Sequence, residues 1–415
     1  MKRFCIMLAA AMLAGLLAAC GAAPQSAAPA ESTSLPAAVT GQPLRRLESG
    51  DADAYYQVQD AGDGTHTILY RIDLVTGACA PVCDVSGCSH TADSCPALHP
   101  VEAGWTVQVL DESTLLSGNM TSLYRCDRDG RNLTLVIDVI DDSRFSFTDY
   151  LFTDGESVYA VGNPSCKESN GVLYRISLDS GKAEPVVRLP GIYLILGVSG
   201  RWVVLDQDVE TDKACYDIAY NLDTSETRTL SARPYSGEVF SHNSGISRAV
   251  LGGMYYVFDF STRTVTGKDP ATGETVLQSS PFPADPNEGR GYESCRPMRV
   301  LDGWLELDYS SNDWEQEDYN QINFSYLVSL ETGEVRRKPD LPMQTWNGYP
   351  HPPAVVLDLG DRLLVTSRAE PHIETHFDNA GAPYTVESSR RILATIPVED
   401  YLSGTPNYTE TEGWI

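Results

Sequence analysis

A hairpin pattern recurs along this chain: an apolar run with an aromatic residue, a turn rich in Asp, Ser and Gly, and a second short apolar run. The first copy runs from Leu69 to Leu74 and turns at Gly77. In such turns an Asp side chain bonds the turn backbone, and Gly adopts a positive φ at little cost. A partial seventh copy follows at 392–397. The turn positions of the six fuller copies are Gly77, Gly130, Gly181, Glu226, Gly273 and Gly333.

The spacing between these turns predicts the fold. Successive copies lie roughly 45 to 60 residues apart, which is the length of one β-propeller blade. Each copy is preceded by further strand-like runs such as Trp202–Leu205, so one repeat holds four short strands. We therefore predict an all-β fold, a β-propeller with seven four-stranded blades. Six or eight blades stay open, and a β-sandwich is the alternative.

The two ends of the repeat region are incomplete. The last copy has no clear fourth strand after it, and the first copy lacks a leading strand unless Leu44–Leu47 supplies one. Closing a ring of blades removes unpaired edges. We therefore expect the segment Pro36–Leu47 to pair with the last blade, near Ile392–Ile396.

The first twenty residues resemble the signal peptide of a bacterial lipoprotein. Lys2 and Arg3 precede an uncharged apolar run that is short for a membrane span and ends in small residues before Cys20. The sequence Leu-Ala-Ala-Cys at 17–20 matches the lipobox. This resemblance implies cleavage before Cys20, lipidation of Cys20, and anchoring to the outer face of the cell membrane through acyl chains in the bilayer. The alternative is an ordinary secretory signal with an incidental Cys20.

The segment after Cys20 is composed mainly of Ala, Pro, Ser and Gly up to Pro43. Such a segment cannot bury enough apolar surface to offset the entropy lost on ordering. We expect a disordered tether that holds the folded part away from the membrane. The predicted organisation is a signal peptide at 1–19, a lipidated tether at 20–43 and a propeller at 44–415.

The charge of the chain excludes one class of partner. The formal net charge is −27, and no basic cluster interrupts it. A field of this sign repels nucleic acid. We therefore predict no nucleic-acid partner.

A cysteine-rich segment follows the first hairpin. Cys79 comes first in this segment. Cys83, Cys88, His90 and Cys95 follow in a short run that also contains Gly87. Three thiolates and an imidazole are sufficient for tetrahedral zinc, and a closed set of this kind has a structural role. In an exported protein the cysteines can instead form disulfides, and the sequence cannot choose the pairs. Zinc or another metal, disulfides and free thiols all stay open, and no cysteine is marked as a nucleophile.

Two features resemble known propellers. The Leu-Tyr-Arg hairpins resemble the repeats of the TolB-like class, and the ending Tyr401–Tyr408, with the cysteine-rich segment, resembles a group of propeller lipoproteins from gut Clostridia. These resemblances imply a propeller in an exported protein, and they carry no activity. The Asp-box of sialidases and the Trp-Asp ending of WD40 repeats are missing from the sequence, so those functions do not transfer.

Aromatic residues interleave with acids in the sixth repeat. Aromatic faces beside carboxylates can hold sugars, and carboxylate pairs can hydrolyse them. The alternative is a long hairpin whose acids face water. The candidate ligand-binding residues are Tyr309, Trp314, Tyr319 and Trp346.

Two further clusters carry weaker signals. His372 and His376, followed by Asp378, would share a metal on a helix, but we interpret this polar segment as a solvated loop. Three acids at Asp138, Asp141 and Asp142 lack the order of a calcium-binding loop.

These observations lead to three functional hypotheses. The first is a membrane-tethered propeller that binds a protein, peptide or glycan, or acts as a scaffold, without catalysis. The second is an extracellular hydrolase or lyase that acts on glycans or peptides. The third is a sensor or assembly factor of the cell envelope.

Overall fold

Each sequence repeat forms one blade of a ring. A computed structural model describes residues 41–119, 121–138, 143–144, 151–164, 170–209, 214–234, 246–284, 293–311, 322–346, 349–377 and 383–415. Within these residues the chain forms a β-propeller of seven four-stranded blades, which confirms the prediction. They all belong to the unit Ala38–Ile415. None of their helices is long and apolar enough to cross a bilayer.

The first three blades extend to Pro190, and a short strand, β1 (Arg45–Arg46), precedes them. Blade 1 contains β2 (Ala54–Asp60), β3 (His66–Asp73), β4 (Cys79–Pro81) and β5 (Leu98–Pro100). After a 3-10 helix at Val101–Ala103, blade 2 contains β6 (Thr106–Val109), β7 (Thr114–Gly118), β8 (Leu123–Asp127) and β9 (Thr134–Ile137). A two-residue strand, β10 (Ser143–Arg144), leads to blade 3, which contains β11 (Phe152–Thr153), β12 (Ser157–Pro164), β13 (Asn170–Ser177) and β14 (Ala183–Pro190).

The remaining four blades complete the ring. Blade 4 contains β15 (Ile192–Ser199), β16 (Trp202–Val209), β17 (Ala214–Asn221) and β18 (Thr227–Pro234). Blade 5 contains β19 (Ile246–Leu251), β20 (Met254–Asp259), β21 (Thr264–Lys268) and β22 (Thr275–Gln278). Blade 6 contains β23 (Glu293–Leu301), β24 (Trp304–Ser311), β25 (Ile322–Ser329) and β26 (Val335–Arg337), and a hairpin of β27 (Gln344–Trp346) and β28 (Tyr349–His351) follows. Blade 7 contains β29 (Val355–Asp358), β30 (Arg362–Phe377), β31 (Pro383–Pro397), the helix α1 (Val398–Ser403) and β32 (Thr409–Trp414).

The blades pack face to face around their innermost strands. The first strands of neighbouring blades contact one another, as β2 does with β6 and β19 does with β23. Apolar side chains fill the space between blades. Between blades 5 and 6, Phe258 and Tyr326 each meet the ring of Phe282 edge-on, with centroids 5.1 and 4.9 Å apart, and Leu305 and Leu307 complete the cluster. Apolar side chains of neighbouring blades therefore pack into clusters between the sheets.

The repeated turns adopt the predicted conformation. In the first copy Gly77 has a φ of 79° and donates its N–H to the Asp73 carbonyl at 2.8 Å. In the fourth copy the same position belongs to Ser225, with a φ of 59° and a 2.9 Å bond to the Asn221 carbonyl. The assignment of Glu226 to the glycine position is therefore wrong by one residue.

The N-terminal strap, residues 41–50, does not pair with the last blade, so the prediction for Pro36–Leu47 is wrong over the described part of that segment. Instead β1 pairs with β11, the innermost strand of blade 3. Leu44 donates its N–H to the Gly200 carbonyl of blade 4 at 2.8 Å. Further along, the Glu48 carbonyl accepts from Val109 of blade 2 at 2.7 Å. The strap thus runs across four blades, from blade 4 to blade 1.

Two physical reasons explain this difference. Leu44 is buried in an apolar cluster of blades 3 and 4, and Leu47, only 1% exposed, is buried in a cluster of blades 2 and 3. The place expected for the strap is taken by β32, which pairs with β31 as the fourth strand of blade 7. The strand β32 reads Thr-Glu-Thr-Glu-Gly-Trp and lacks the apolar alternation that identifies a strand in sequence.

The ring closes by packing of blade 7 against blade 1. Ile72 of blade 1 lies in one apolar cluster with Leu364 and Leu393 of blade 7. Glu412 in β32 also donates its N–H to the Gly77 carbonyl at 2.7 Å. Closure therefore uses side-chain packing and a turn-to-strand hydrogen bond.

Candidate metal centre

The cysteine-rich segment forms a loop inserted into the outermost strand of blade 1. Both β4 and β5 pair with the same edge of β3, so they are two halves of one strand. Residues 82–97, here called the cluster loop, connect β4 to β5. The loop leaves the edge of β3 and returns to it at the same residue. Leu69 in β3 accepts from Val82 at 3.1 Å and donates to the Ala97 carbonyl at 2.8 Å. Both ends of the cluster loop are therefore held by the backbone of one residue.

Four side chains of the cluster loop converge. The ligand atoms of Cys83, Cys88, His90 and Cys95 all lie within 4.8 Å of one another, which is a metal-binding distance. His90 Nδ1 lies 3.3 Å from Cys95 Sγ. The structure thus assembles the set that the sequence spacing predicts.

The backbone of the cluster loop turns sharply at two positions. Gly87 has a φ of 74°, and Cys88 donates its N–H to the Val85 carbonyl at 3.1 Å. His90 has a φ of 56°, in the left-handed region that non-glycine residues seldom occupy. Such strain persists where the surroundings impose it and is concentrated at ligand sites. The strained turn brings the imidazole to the three thiols.

The thiols differ in their readiness to ionise. The backbone N–H of His90, 3.4 Å from Cys88 Sγ, lowers the pKa of the Cys88 thiol. Burial raises the pKa of the Cys95 thiol to about 11. A hydrogen-bond donor stabilises a thiolate, whereas an apolar surrounding disfavours it. A metal that binds here therefore displaces a proton from Cys95.

Cys83, Cys88 and Cys95 of the cluster are free thiols. The disulfide alternative is therefore not present in this structure. Cys79 stands apart from the cluster on β4, where its backbone N–H donates to Glu412 Oε2 at 3.2 Å. His99 is buried in β5, and its Nε2 donates to the Gly130 carbonyl of blade 2 at 3.1 Å.

A cleft of about 440 Å³ lies beside the cluster, between the cluster loop and the β8–β9 turn of blade 2. Cys95 and His99 line one side, and residues 130–133 line the other. An ion pair between Asp84 and Arg131 joins the cluster loop to blade 2. Residues 93–96 of the cluster loop and Arg131, the ion-pair partner of Asp84, therefore line the same cleft.

The aromatic candidates have different locations. Tyr309 is 1% exposed and packs on Phe324 with ring centroids 4.9 Å apart, so its ring belongs to the core and offers no face to a ligand. Trp346 is the last residue of β27. Trp314 and Tyr319 lie outside the described residues.

The segment with the two histidines is a strand, so its interpretation as a solvated loop is wrong. His372 and His376 lie on the strand β30, where residues four apart are roughly 13 Å distant, too far to share an ion. The His372 ring contacts Trp414, with centroids 5.2 Å apart. Asp138 accepts from the Ser122 hydroxyl at 2.8 Å. Asp378, Asp141 and Asp142 lie outside the described residues.

Sequence reasoning missed an ionic network between blades 4 and 5. Asp206 and Asp217 stand opposite each other on neighbouring strands, and Arg233 bridges them at 2.9 and 3.2 Å. Arg248 of blade 5 also contacts both carboxylates, and its distance to Asp217 is 2.8 Å. The other carboxylate oxygen of Asp217 accepts a hydrogen bond from the Tyr255 hydroxyl. Two acids and two guanidinium groups balance one another there.

A second missed network joins blades 6 and 7. Glu306 is 0% exposed and accepts from Arg299 at 2.6 Å and from the Tyr401 hydroxyl of α1 at 2.7 Å. The Lys338 ammonium lies 3.5 Å from the same carboxylate and 3.8 Å from the centre of the Tyr401 ring. The sequence signal that could have indicated this network is Glu306 itself, an acid between two leucines in the strand β24.

No protein-family profile matches the chain, and no curated protein sequence matches it. Among solved structures, it is similar to TolB from Acinetobacter baumannii at 9% identity, over 87% of this chain and 80% of that chain, with a TM-score of 0.35. It is also similar to a puromycin hydrolase at 13% identity, over 84% of this chain and 58% of that chain, with a TM-score of 0.46. An oligogalacturonate lyase from Vibrio parahaemolyticus is similar at 12% identity, over 88% of this chain and 100% of that chain, with a TM-score of 0.42.

The blades and the cluster define the class of this protein. It is a seven-bladed β-propeller with a Cys-Cys-His-Cys group on a loop inserted into the outer strand of its first blade. This assignment rests on the strand topology and on the side-chain geometry of the chain itself.

Proposed function

We propose that this protein is an exported, lipid-anchored propeller that binds a protein, peptide or glycan beside a zinc-stabilised loop. The observation that carries the proposal is the convergence of four ligand atoms on a loop that forms one wall of a cleft. The zinc is structural, and binding occurs at the surface that the loop shapes.

The distances within the cluster fit tetrahedral zinc. With Zn–S near 2.3 Å and Zn–N near 2.0 Å, neighbouring ligand atoms stand about 3.5 to 3.8 Å apart. The observed limit of 4.8 Å requires a pair to close by about 1.3 Å at most, and the pair formed by His90 and Cys95 is already at 3.3 Å. Thiolate and imidazole ligands favour zinc over calcium or magnesium, which prefer oxygen.

The number of ligands supports a structural role. Four protein ligands complete a tetrahedron and leave no position for a substrate. Zinc bound there would hold the cluster loop in one conformation. Because Asp84 of this loop pairs with Arg131, the metal would also fix the side of the cleft that faces blade 2.

Anchoring rests on the lipobox at 17–20. Acyl chains on Cys20 would insert into the bilayer, and the Ala, Pro and Ser segment would act as a spacer. The net charge of −27 supports attachment through lipid alone, because anionic headgroups repel an acidic protein. Replacement of Cys20 by Ser is expected to move the protein from the membrane fraction into the soluble exported fraction, and retention in the membrane would contradict lipid anchoring.

Metal analysis of purified protein tests the zinc proposal. We expect about one zinc per chain in the wild type and loss of that zinc in Cys88→Ser. Cys79→Ser is the matched control, because Cys79 lies just before the loop and outside the cluster, and it should keep its zinc. A wild type without bound zinc, or a Cys88→Ser variant with a full equivalent, would contradict the proposal.

Glycan and peptide arrays probed with the Cys20→Ser chain test the binding proposal. Ligands found with the zinc-loaded protein should bind at least tenfold more weakly to a Cys20→Ser, Cys88→Ser double variant. Equal binding by both proteins would place recognition away from the cluster loop.

A further inference from the structure

We propose that the same cluster is a redox site, at which a peroxide oxidises Cys83 and Cys88 to a disulfide and the metal is released. This inference rests on the proposed zinc site and concerns its regulation. The thiols that hold the metal would then be the thiols that sense the oxidant.

The separation of the sulfur atoms supports this chemistry. The Sγ atoms of Cys83, Cys88 and Cys95 are free thiols within 4.8 Å of one another. A disulfide needs about 2.05 Å between sulfurs, so a displacement of under about 3 Å joins any pair. Loop side chains in a segment of short polar residues can make that movement without disturbing the blade.

Accessibility and local structure select Cys83 and Cys88. Cys95 is 4% exposed, and its backbone is held by bonds to Ala92 and Leu98 on either side. Cys83 and Cys88 are half-buried, so a peroxide can reach them. Gly87, next to Cys88, has no other part of the chain within 4 Å of the space that a Cβ would occupy, so this turn is open to movement.

The reaction balances with a peroxide as the oxidant. Two thiolates give up two electrons and form one S–S bond, while the O–O bond of hydrogen peroxide breaks and yields two hydroxide ions. Cys95 and His90 remain as two ligands. Two ligands are too few for a closed zinc site, so the metal leaves.

The consequence is local to the cluster loop. Its two ends stay bonded to Leu69, so blade 1 keeps its outer strand. Asp84, which pairs with Arg131 of blade 2, lies between the two oxidised cysteines. The Cys83–Cys88 disulfide closes a small ring that contains Asp84. The ring repositions the ion pair with Arg131, which lines one wall of the cleft.

The test titrates zinc-loaded full-length protein with hydrogen peroxide. Released zinc is followed with a chromogenic chelator, and disulfides are mapped by mass spectrometry of unreduced peptides. We expect one equivalent of zinc to be released for each Cys83–Cys88 disulfide, and reversal when a dithiol reductant and zinc are added. Cys79→Ser should respond as the wild type does.

Several results separate this inference from the zinc proposal. Zinc that stays bound while peroxide is consumed overturns the redox inference and leaves the metal site standing. Absence of zinc from the untreated wild type overturns the metal site, and mapping of the peroxide-treated thiols then decides the redox chemistry alone. A disulfide that uses Cys95, or none at all, overturns the proposed pair. Cys95→Ser should still form the Cys83–Cys88 disulfide, and Cys88→Ser should not.

Discussion

At the scale of single residues, the buried charges between blades depend on complete pairing. Arg248 of blade 5 contacts both Asp206 and Asp217, and Asp217 is 0% exposed. Removal of one partner from a buried ionic group costs about 3 to 5 kcal/mol, because the remaining charge stays desolvated. We expect Arg248→Met to lower the free energy of unfolding by that amount in urea titrations.

A surface pair provides the control for this substitution. Arg337 and Asp340 pair at 2.7 Å, and both side chains are more than half exposed. Such pairs contribute under about 1 kcal/mol. Arg337→Met should therefore leave the unfolding midpoint nearly unchanged, and an equal loss in both variants would show that burial does not set the cost.

Glu306 gives a prediction that depends on pH. Burial favours its neutral form, but Arg299, Lys338 and the Tyr401 hydroxyl outweigh burial and lower the pKa of Glu306 below 4.5. A carboxyl whose pKa is lower in the folded state adds stability above the unfolded pKa and loses it as the pH falls through the folded value. Glu306→Gln should cost about 3 to 5 kcal/mol at pH 7, since it leaves two buried cations without their partner.

The pH series checks the assigned cause. Urea unfolding of the wild type and Glu306→Gln between pH 7 and about pH 3 should show a difference that narrows below pH 4.5. In that range the unfolded wild-type chain binds a proton at Glu306 before the folded carboxylate does. A difference that stays constant over this range would mean that packing, and not the charge of Glu306, is responsible.

At the scale of the structural elements, local patterns were predictable and long-range pairings were not. The hairpin turns follow from neighbouring residues such as Asp73 and Gly77, so the repeat predicted both the turns and the seven blades. The cysteine set was also local, since Cys83 to Cys95 lie in one short loop. By contrast, the pairing of β1 with β11 and the network around Glu306 join residues distant in the chain, and no spacing encodes those contacts.

The N-terminal strap is an element whose contribution can be measured. Leu47 is 1% exposed and packs among Leu110, Leu151 and Tyr174 of blades 2 and 3. Truncation of a buried leucine costs about 2 to 5 kcal/mol. Leu47→Ala should lower the free energy of unfolding by this amount, as measured by urea titration. A loss under about 0.5 kcal/mol would show that the strap is not held against these blades. Arg46→Ala is the control, because Arg46 lies on the partly exposed side of the strap.

At the scale of the whole molecule, the proposed zinc is expected to act on one blade while the ring persists. The cluster loop is an insertion whose ends are bonded to Leu69, and the blades are held together by apolar clusters elsewhere. A ligand that binds only the folded state stabilises it by mass action. Zinc should therefore stabilise blade 1 and its contact with blade 2, while blades 4 to 6 depend on their own packing.

Chelation with hydrogen exchange as the readout tests this division. After zinc removal by EDTA, we expect faster amide exchange in the cluster loop, in β5 and in the β8–β9 turn, which contains Arg131. The exchange rates of blades 4 to 6 should not change. Cys79→Ser should show the same response to EDTA, and Cys88→Ser should resemble the chelated protein before any EDTA is added. A uniform rise in exchange across all seven blades would mean that the metal supports the ring as a whole, because local opening leaves distant cooperative units protected.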